Sequence, residues 1–293
     1  MDEELKSELH ALRAEVNLLR QDVNREAGYL ARQEIERLVH LISKDPKRLE
    51  PFGFKVYSQN DEDGIIQEIF YRLKITNGTF IEIGVENGLE CNSLFLLHKG
   101  FRGGWIEGNP SQEMAIKNTF GSLIKKEKLV LKSDYIYREN LNEMIGVICK
   151  ELSIDPNSLD FLSIDVDGMD IYLFDALIYS PKVICIEYNA KFPPSCIKVP
   201  VYDSNLQWAG KDYMGSSLGA IDEVAKNKGY ILVGTNIAGV NAFYVRSDLL
   251  ANKFTDVELK DLYNPPRYYL WWNHFSNQVG HLPTYGPYVD LES

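Results

Sequence analysis

Over residues 4–42 the apolar positions return every three and four residues, the spacing of one helix face. Leu5, Leu12 and Leu19 form one seven-residue series. Leu9, Val16, Val23 and Leu30 form a second. With the second series at a and the first at d, the pattern is a heptad coiled coil. No glycine precedes Gly28, and no proline precedes Pro46. Glu26 interrupts the d series, and the seam loses regularity after Leu30. The narrow stripe and charged flanks predict self-association through residues 1–44. Valines at a over leucines at d lean toward a parallel dimer, with a trimer left open. The competing reading is one amphipathic helix packed on its own domain.

KDPKRLEPFG, at 44–53, reads as a joint, because its prolines and glycine end helices. Beyond it, residues 45–293 read as one domain in which strand and helix patterns alternate. DEDGIIQEIFYRL predicts a helix, TFIEIG a strand, and LECNSLFLLHKG a helix. GGWIEG, KLVLKSD, LDFLSIDVDG and KVICIEYN predict further strands, with helices between them. A loop over 190–214 follows, then a helix, then YILVGTN and NAFYVRS as a closing hairpin. The fold class expected is α/β: a mostly parallel, seven-stranded, Rossmann-like sheet with one antiparallel strand.

Ligands in open α/β sheets bind outside the carboxyl ends of the strands. Here nearly every such end is acidic: Glu82 to Gly88, Glu107-Gly108-Asn109, Ser133-Asp134-Tyr135, Asp165-Val166-Asp167-Gly168 and Glu187-Tyr188-Asn189. Phosphate sites use bare amides, Lys or Arg. The Walker pattern is absent, and Glu86 replaces the second glycine of a GxGxxG. The expected ligand is therefore cationic or rich in hydroxyls. S-adenosylmethionine (SAM) fits, with its sulfonium, ammonium and ribose diol. Gly84 and Gly88 would let the backbone approach it. Glu107 sits where a carboxylate accepts ribose hydroxyls, and Asp134 where one meets the adenine amine.

FIEIGVENG, GGWIEGN, LDFLSIDVDGMD and GVNAFYV, taken in order, resemble the FkbM-type group of class I SAM-dependent methyltransferases. YSQNDEDGII is similar to that group's SQ-x-x-ED segment. The resemblance spans roughly residues 55–246. It implies O-methylation of a sugar or similar hydroxylated acceptor. It puts Glu82, Gly84 and Gly88 around the methionine moiety, Glu107 on the ribose and Asp134 near adenine. Gln59 and Asp63 would line the cofactor mouth. Against this, Glu82 also reads as a strand-end acid capping the next turn.

IDVDGMD places Asp165, Asp167 and Asp170 within six residues, and these are the expected catalytic acids. Asp165, Glu187 and Asn189, at neighbouring strand ends, are a candidate Mg²⁺ set that would acidify a substrate hydroxyl. Two departures stand out. Glu187-x-Asn189 is not the adjacent pair usual in metal-dependent relatives, and no histidine stands near Met169. The base could then be Asp167, Asp170, His98, His274 or His281, although His98 reads more simply as a helix-surface residue.

Loop 190–214 and the tail over 263–293 hold Tyr202, Trp208, Tyr213, Tyr268, Tyr269, Trp271, Trp272, Tyr285 and Tyr288. Aromatic faces among Asn, Gln and His suit a carbohydrate; they also suit a packed lid. The net charge of −11 disfavours sequence-independent nucleic-acid binding. Four scattered cysteines without a CxxC disfavour a thiolate zinc site. Cys185, inside an apolar run, is expected to be a buried thiol. No apolar run reaches membrane-spanning length and no signal peptide opens the chain, so a reducing cytoplasm is expected. Two other classes compete with the methyltransferase. One is a coiled-coil scaffold carrying a degenerate domain of this kind; the other is an NAD-dependent oxidoreductase, which the acidic first loop disfavours.

Overall fold

A computed structural model describes residues 3–166, 168–206 and 210–271, with side chains to Leu270. The chain runs α1 (Glu3–Ile42), α2 (Glu62–Leu73), β1 (Thr79–Ile83), α3 (Leu94–His98), β2 (Arg102–Ile106), α4 (Pro110–Lys125), β3 (Leu129–Lys132), α5 (Leu141–Glu151), β4 (Phe161–Ile164), α6 (Asp170–Ala176) and β5 (Val183–Glu187). It ends with α7 (Leu218–Asn227), β6 (Tyr230–Thr235), β7 (Asn241–Arg246) and α8 (Leu259–Leu262).

The strands form one sheet in the order β3-β2-β1-β4-β5-β7-β6. All pairs are parallel except those of β7, which runs antiparallel to both β5 and β6. This is the mostly parallel, seven-stranded, Rossmann-like sheet with one antiparallel strand that the sequence predicts. The strand order reverses between β1 and β4, which sets the crevice for a ligand at their carboxyl ends.

Alternation along the strands sends side chains to two cores. Phe80, Trp105, Phe161, Cys185 and Phe243 pack with Ile65 and Ile69 of α2, Leu94 of α3 and Phe120 of α4. Ile81, Leu162, Ile184 and Ile186 pack with Ile148 of α5, Phe174 of α6 and Ile221 of α7. Each fully buried side chain of this size is worth roughly 1.5–3 kcal/mol. Cys185 is buried as a free thiol.

One element differs from the sequence reading. The helix expected over 89–100 is confined to α3, because Glu82 fixes the residues ahead of it in bends and turns. Its Oε1 accepts the Asn92 amide at 2.8 Å and its Oε2 the Ser93 amide at 2.9 Å. The joint that the sequence places at 44–53 is fastened to the domain. Leu49 is fully buried against Gly234, and the Arg72 guanidinium donates to the carbonyls of Pro46, Lys47 and Arg48.

Helix α1 behaves in two ways. Its last turns rest on the domain, where Leu38 is buried with Ile237 and Leu270 and flanked by Ile35 and Val39. Its earlier apolar residues stand in solvent. Among the described residues no helix is long and apolar enough to cross a membrane.

Candidate functional site

The crevice between β1 and β4 is closed at its base by a glycine. Gly84 has φ +80°, and a Cβ there would lie 1.7 Å from the Asp165 carbonyl oxygen. The Asp165 amide in turn donates to the Ile83 carbonyl at 3.1 Å. Gly88 is also obligatory, for a reason the sequence did not suggest. A Cβ there would strike the Trp105 ring at 2.6 Å and Phe120 at 2.9 Å. Its small size thus serves the protein's own packing.

Glu107 is the best-prepared acid of the edge. It is 9% exposed, at the end of β2. Its Oε2 accepts the Glu86 amide and its Oε1 the Asn109 amide, both at 2.8 Å. Burial pushes its carboxyl above the usual range, and the Asn109 and Glu86 amides pull it back. The bond to Glu86 ties the β2 end to the β1 loop, where Glu86 takes the left-handed φ of +49°. The neighbouring Gly108 lies under the Tyr135 ring, which a Cβ would meet at 2.5 Å. Asp134 is exposed beside it.

Glu82 is buried, and both of its oxygens are engaged by the start of α3. The Ser93 hydroxyl donates to it as well, and Trp105 Nε1 donates to that hydroxyl at 2.8 Å. Burial raises its carboxyl and these donors lower it. Asp63 is likewise buried, and its Oδ2 accepts the amides of Val56, Tyr57 and Ser58 at 2.7–2.9 Å. Both acids shape loops at the site. Gln59 is exposed.

The run Asn60-Asp61-Glu62 contributes more than the sequence indicated. Glu62 is fully buried. Its Oε1 accepts from the side-chain amides of Asn60, Asn236 and Asn241 at 3.1, 2.7 and 3.0 Å, and its Oε2 accepts the Asn60 backbone amide at 2.7 Å. Asp61 is 2% exposed, and burial beside Glu62 raises its carboxyl well above the usual range. Asn241 opens β7 directly opposite Glu187 at the end of β5. The network therefore fastens the entrance of α2 to the far side of the carboxyl edge. The signal was present in three consecutive acids and in the two asparagines of NIAGVN.

Of the three expected catalytic acids, Asp165 is half-buried at the β4 end and Asp170 is buried. Asp167 lies outside the described residues. Asp170 holds its own turn, its two oxygens accepting the Val166 and Gly168 amides at 2.9 Å each. Of the expected metal set, Asn189 is committed to loop 190–214. Its Nδ2 donates to the carbonyls of Asp212 and Met214, and its Oδ1 accepts the Lys191 amide at 3.2 Å. The loop therefore fixes the orientation of the Asn189 side chain and leaves its Oδ1 one further lone pair. No group of three or more His, Cys, Asp or Glu among the described residues could hold a metal ion.

The described residues of loop 190–214 cross the edge as a strap. It is fixed at Asn189, passes Met169, whose Sδ accepts the Asp203 amide at 3.4 Å, and reaches the segment before α5. There the Tyr202 hydroxyl donates to Glu139 at 2.9 Å, and the Arg138 guanidinium lies 4.3 Å over the Tyr202 ring. Tyr213, Tyr268 and Tyr269 are each about half exposed, at 55%, 49% and 54%. His98 is stacked on Tyr57, with centroids 5.2 Å apart, and burial lowers its pKa. Trp208, Trp272, His274, His281, Tyr285 and Tyr288 lie outside the described residues, as does the side chain of Trp271.

No protein-family model matches the chain, and no curated protein matches it. Solved structures with a similar fold include the N-terminal domain of EvdMO1 in the presence of SAH and D-fucose. That comparison has 12% identity and a TM-score of 0.43, covering 73% of this chain and 96% of that one. The SAH-bound Podospora anserina methyltransferase PaMTH1 matches at 11% identity and a TM-score of 0.40, covering 66% of this chain and 79% of that one. The Methanococcus jannaschii fibrillarin pre-rRNA processing protein matches at 10% and 0.40, covering 64% and 77%. At these scores the likeness carries no argument about ligand or activity.

Proposed function

We propose that this protein is a SAM-dependent O-methyltransferase acting on a hydroxyl of a sugar or glycan-like acceptor. The observation that carries the reading is Glu107. Two backbone amides hold its carboxylate at the sheet edge, and the adjoining segments 84–93 and 107–109 carry no Lys or Arg to receive phosphate. A carboxylate so held can accept both hydroxyls of a ribose.

Bound SAM would supply an electrophilic methyl group. The chain's own residues have separate tasks in this reading. Glu107 orients the nucleoside, and Asp134 with Tyr135 borders the adenine. Glu82, Asp63, Gly84 and Gly88 keep the surrounding loops in shape, with Gln59 at the rim. Asp165, with Asp167 two residues on in sequence, accepts the proton of the acceptor hydroxyl. Asp170 positions that turn. Loop 190–214 covers the acceptor and excludes water, and its half-exposed Tyr213 offers a ring to the C–H face of a sugar. No step of this reading is routed through a metal.

The scaffold alternative draws on one fact: several of the expected acids are engaged in holding loops. Calorimetric titration with S-adenosylhomocysteine, NAD and ATP separates the readings. Binding of S-adenosylhomocysteine alone supports the methyltransferase. Binding of none supports the scaffold, and binding of NAD supports the oxidoreductase.

A further inference from the structure

The heptad seam of α1 is uncovered. Its residues from Leu5 to Leu30 are between 38% and 63% exposed. The reason lies in helix geometry. With Leu9, Val16, Val23 and Leu30 at a, the buried Ala31 and Leu38 fall at b and Ile35 at f. The centre of the b/f face lies about 150° around the helix from the centre of the a/d face, at 3.6 residues per turn. The domain therefore grips α1 on the side opposite the seam and leaves the seam facing outward. Past Leu30 the a and d positions are Gln33, Arg37 and His40, so the seam ends where the domain contact takes over.

We propose that a second copy of this chain covers the seam, parallel and in register, as a two-stranded coiled coil. The flanking charges select this occupant. The e positions are Lys6, Arg13 and Arg20, and the g positions are Glu8, Glu15 and Asp22. In a parallel dimer each g residue faces the e residue five positions on in the partner. Glu8 then meets Arg13 of the other copy, and Glu15 meets its Arg20. An antiparallel pair would set e against e and g against g, arginine against arginine and glutamate against glutamate. Val16 and Val23 at a over Leu12 and Leu19 at d favour two strands over three. The proposal is independent of the methyl-transfer reading.

Sedimentation velocity of the full chain at micromolar concentration and moderate salt tests it. The expected species has twice the monomer mass. Arg13→Glu with Arg20→Glu turns each cross-pair into glutamate against glutamate. Both sites are exposed, so the fold should persist by circular dichroism. The dimer should weaken by about tenfold or more. Orientation is read separately. Leu5→Cys in a Cys196→Ser background should crosslink the copies on mild oxidation, because parallel seams bring the two position-5 residues together. A monomeric or trimeric full chain overturns the proposal. So does a dimer that the two glutamates leave unchanged, or one that Leu5→Cys fails to crosslink.

Discussion

The Glu107 carboxylate receives the backbone amide of Glu86 at 2.8 Å, so the end of one strand fixes the loop of its neighbour. The two residues are 21 apart in sequence, and nothing local brings them together. Parallel pairing of β1 with β2, from Thr79 opposite Arg102 to Ile83 opposite Ile106, does so. A carboxylate committed to amides on one side keeps its remaining lone pairs for hydroxyls. Glu107→Ala should remove these bonds at once. Hydrogen bonds to a charged group are worth roughly 1.5–3 kcal/mol each. Affinity for S-adenosylhomocysteine should fall by at least about tenfold in calorimetry. Unchanged affinity in a folded variant would remove Glu107 from the site.

The glycines allow a paired comparison. Gly84→Ala forces a Cβ into the Asp165 carbonyl at a φ of +80°, where neither backbone can yield cheaply. It should destabilise the domain severely, by several kcal/mol on the scale of overpacking and strain. Gly121, inside α4, has open space where its Cβ would be. Gly121→Ala should stabilise by roughly 0.5–1 kcal/mol. Thermal unfolding of both variants checks the contrast; equal effects would show that the Gly84 contact is not tight.

Glu62 and Gln59 lie three residues apart and should respond in opposite ways. Glu62→Ala strips four donors of a buried acceptor, and each stranded donor costs roughly 1–3 kcal/mol. A loss of about 3 kcal/mol or more in urea unfolding is expected. Gln59→Ala, at an exposed site, should stay within about 0.5 kcal/mol.

The mostly parallel sheet and its one antiparallel strand were legible because strand and helix patterns alternate and the last two strands are too close for a crossover. The acids at the strand ends were legible as a group. Their division of labour was not, because it depends on contacts made after folding. Glu82 captures amides ten and eleven residues ahead, and Glu62 captures asparagines more than 170 residues away. The start of α3 was missed for the same reason: a tertiary hydrogen bond overrode a helical pattern. Gly88 shows the limit most plainly. Its place in a glycine loop suggested a ligand, and nothing local pointed to Trp105, in the adjacent strand, whose ring leaves no room for a Cβ there.

Asp61 sets a pH dependence whose sign can be worked out. Burial and the neighbouring Glu62 raise its folded pKa well above the ordinary aspartate value of about 3.9. Between those two values the folded state holds more protons than the unfolded one. Stability from this group is then complete below the unfolded pKa and is lost as pH rises through the folded one. Asp61→Asn cannot ionise and escapes that loss. Its stability relative to the parent should improve steadily as pH rises above about 4. Urea unfolding at a series of pH values measures the difference, and a flat difference would mean that Asp61 is not protonated in the fold.

Asn189 holds the strap closed, and its loss should separate covering from cofactor binding. Its Nδ2 donates to two carbonyls, those of Asp212 and Met214, at the returning end of loop 190–214. Its backbone amide donates to the Ser216 carbonyl at 2.8 Å, a bond that survives truncation of the side chain. Asn189→Ala should therefore loosen the loop without detaching it. The far anchor, Tyr202 on Glu139 beneath Arg138, remains, so opening should concentrate between residues 191 and 214. Hydrogen exchange should rise in that segment and stay unchanged in β1, β4 and β5. Affinity for S-adenosylhomocysteine should change by less than about threefold, since Glu107 lies on the other side of the crevice. Exchange that rises across the whole sheet would instead make Asn189 a keystone of the fold, and the strap would lose its separate role.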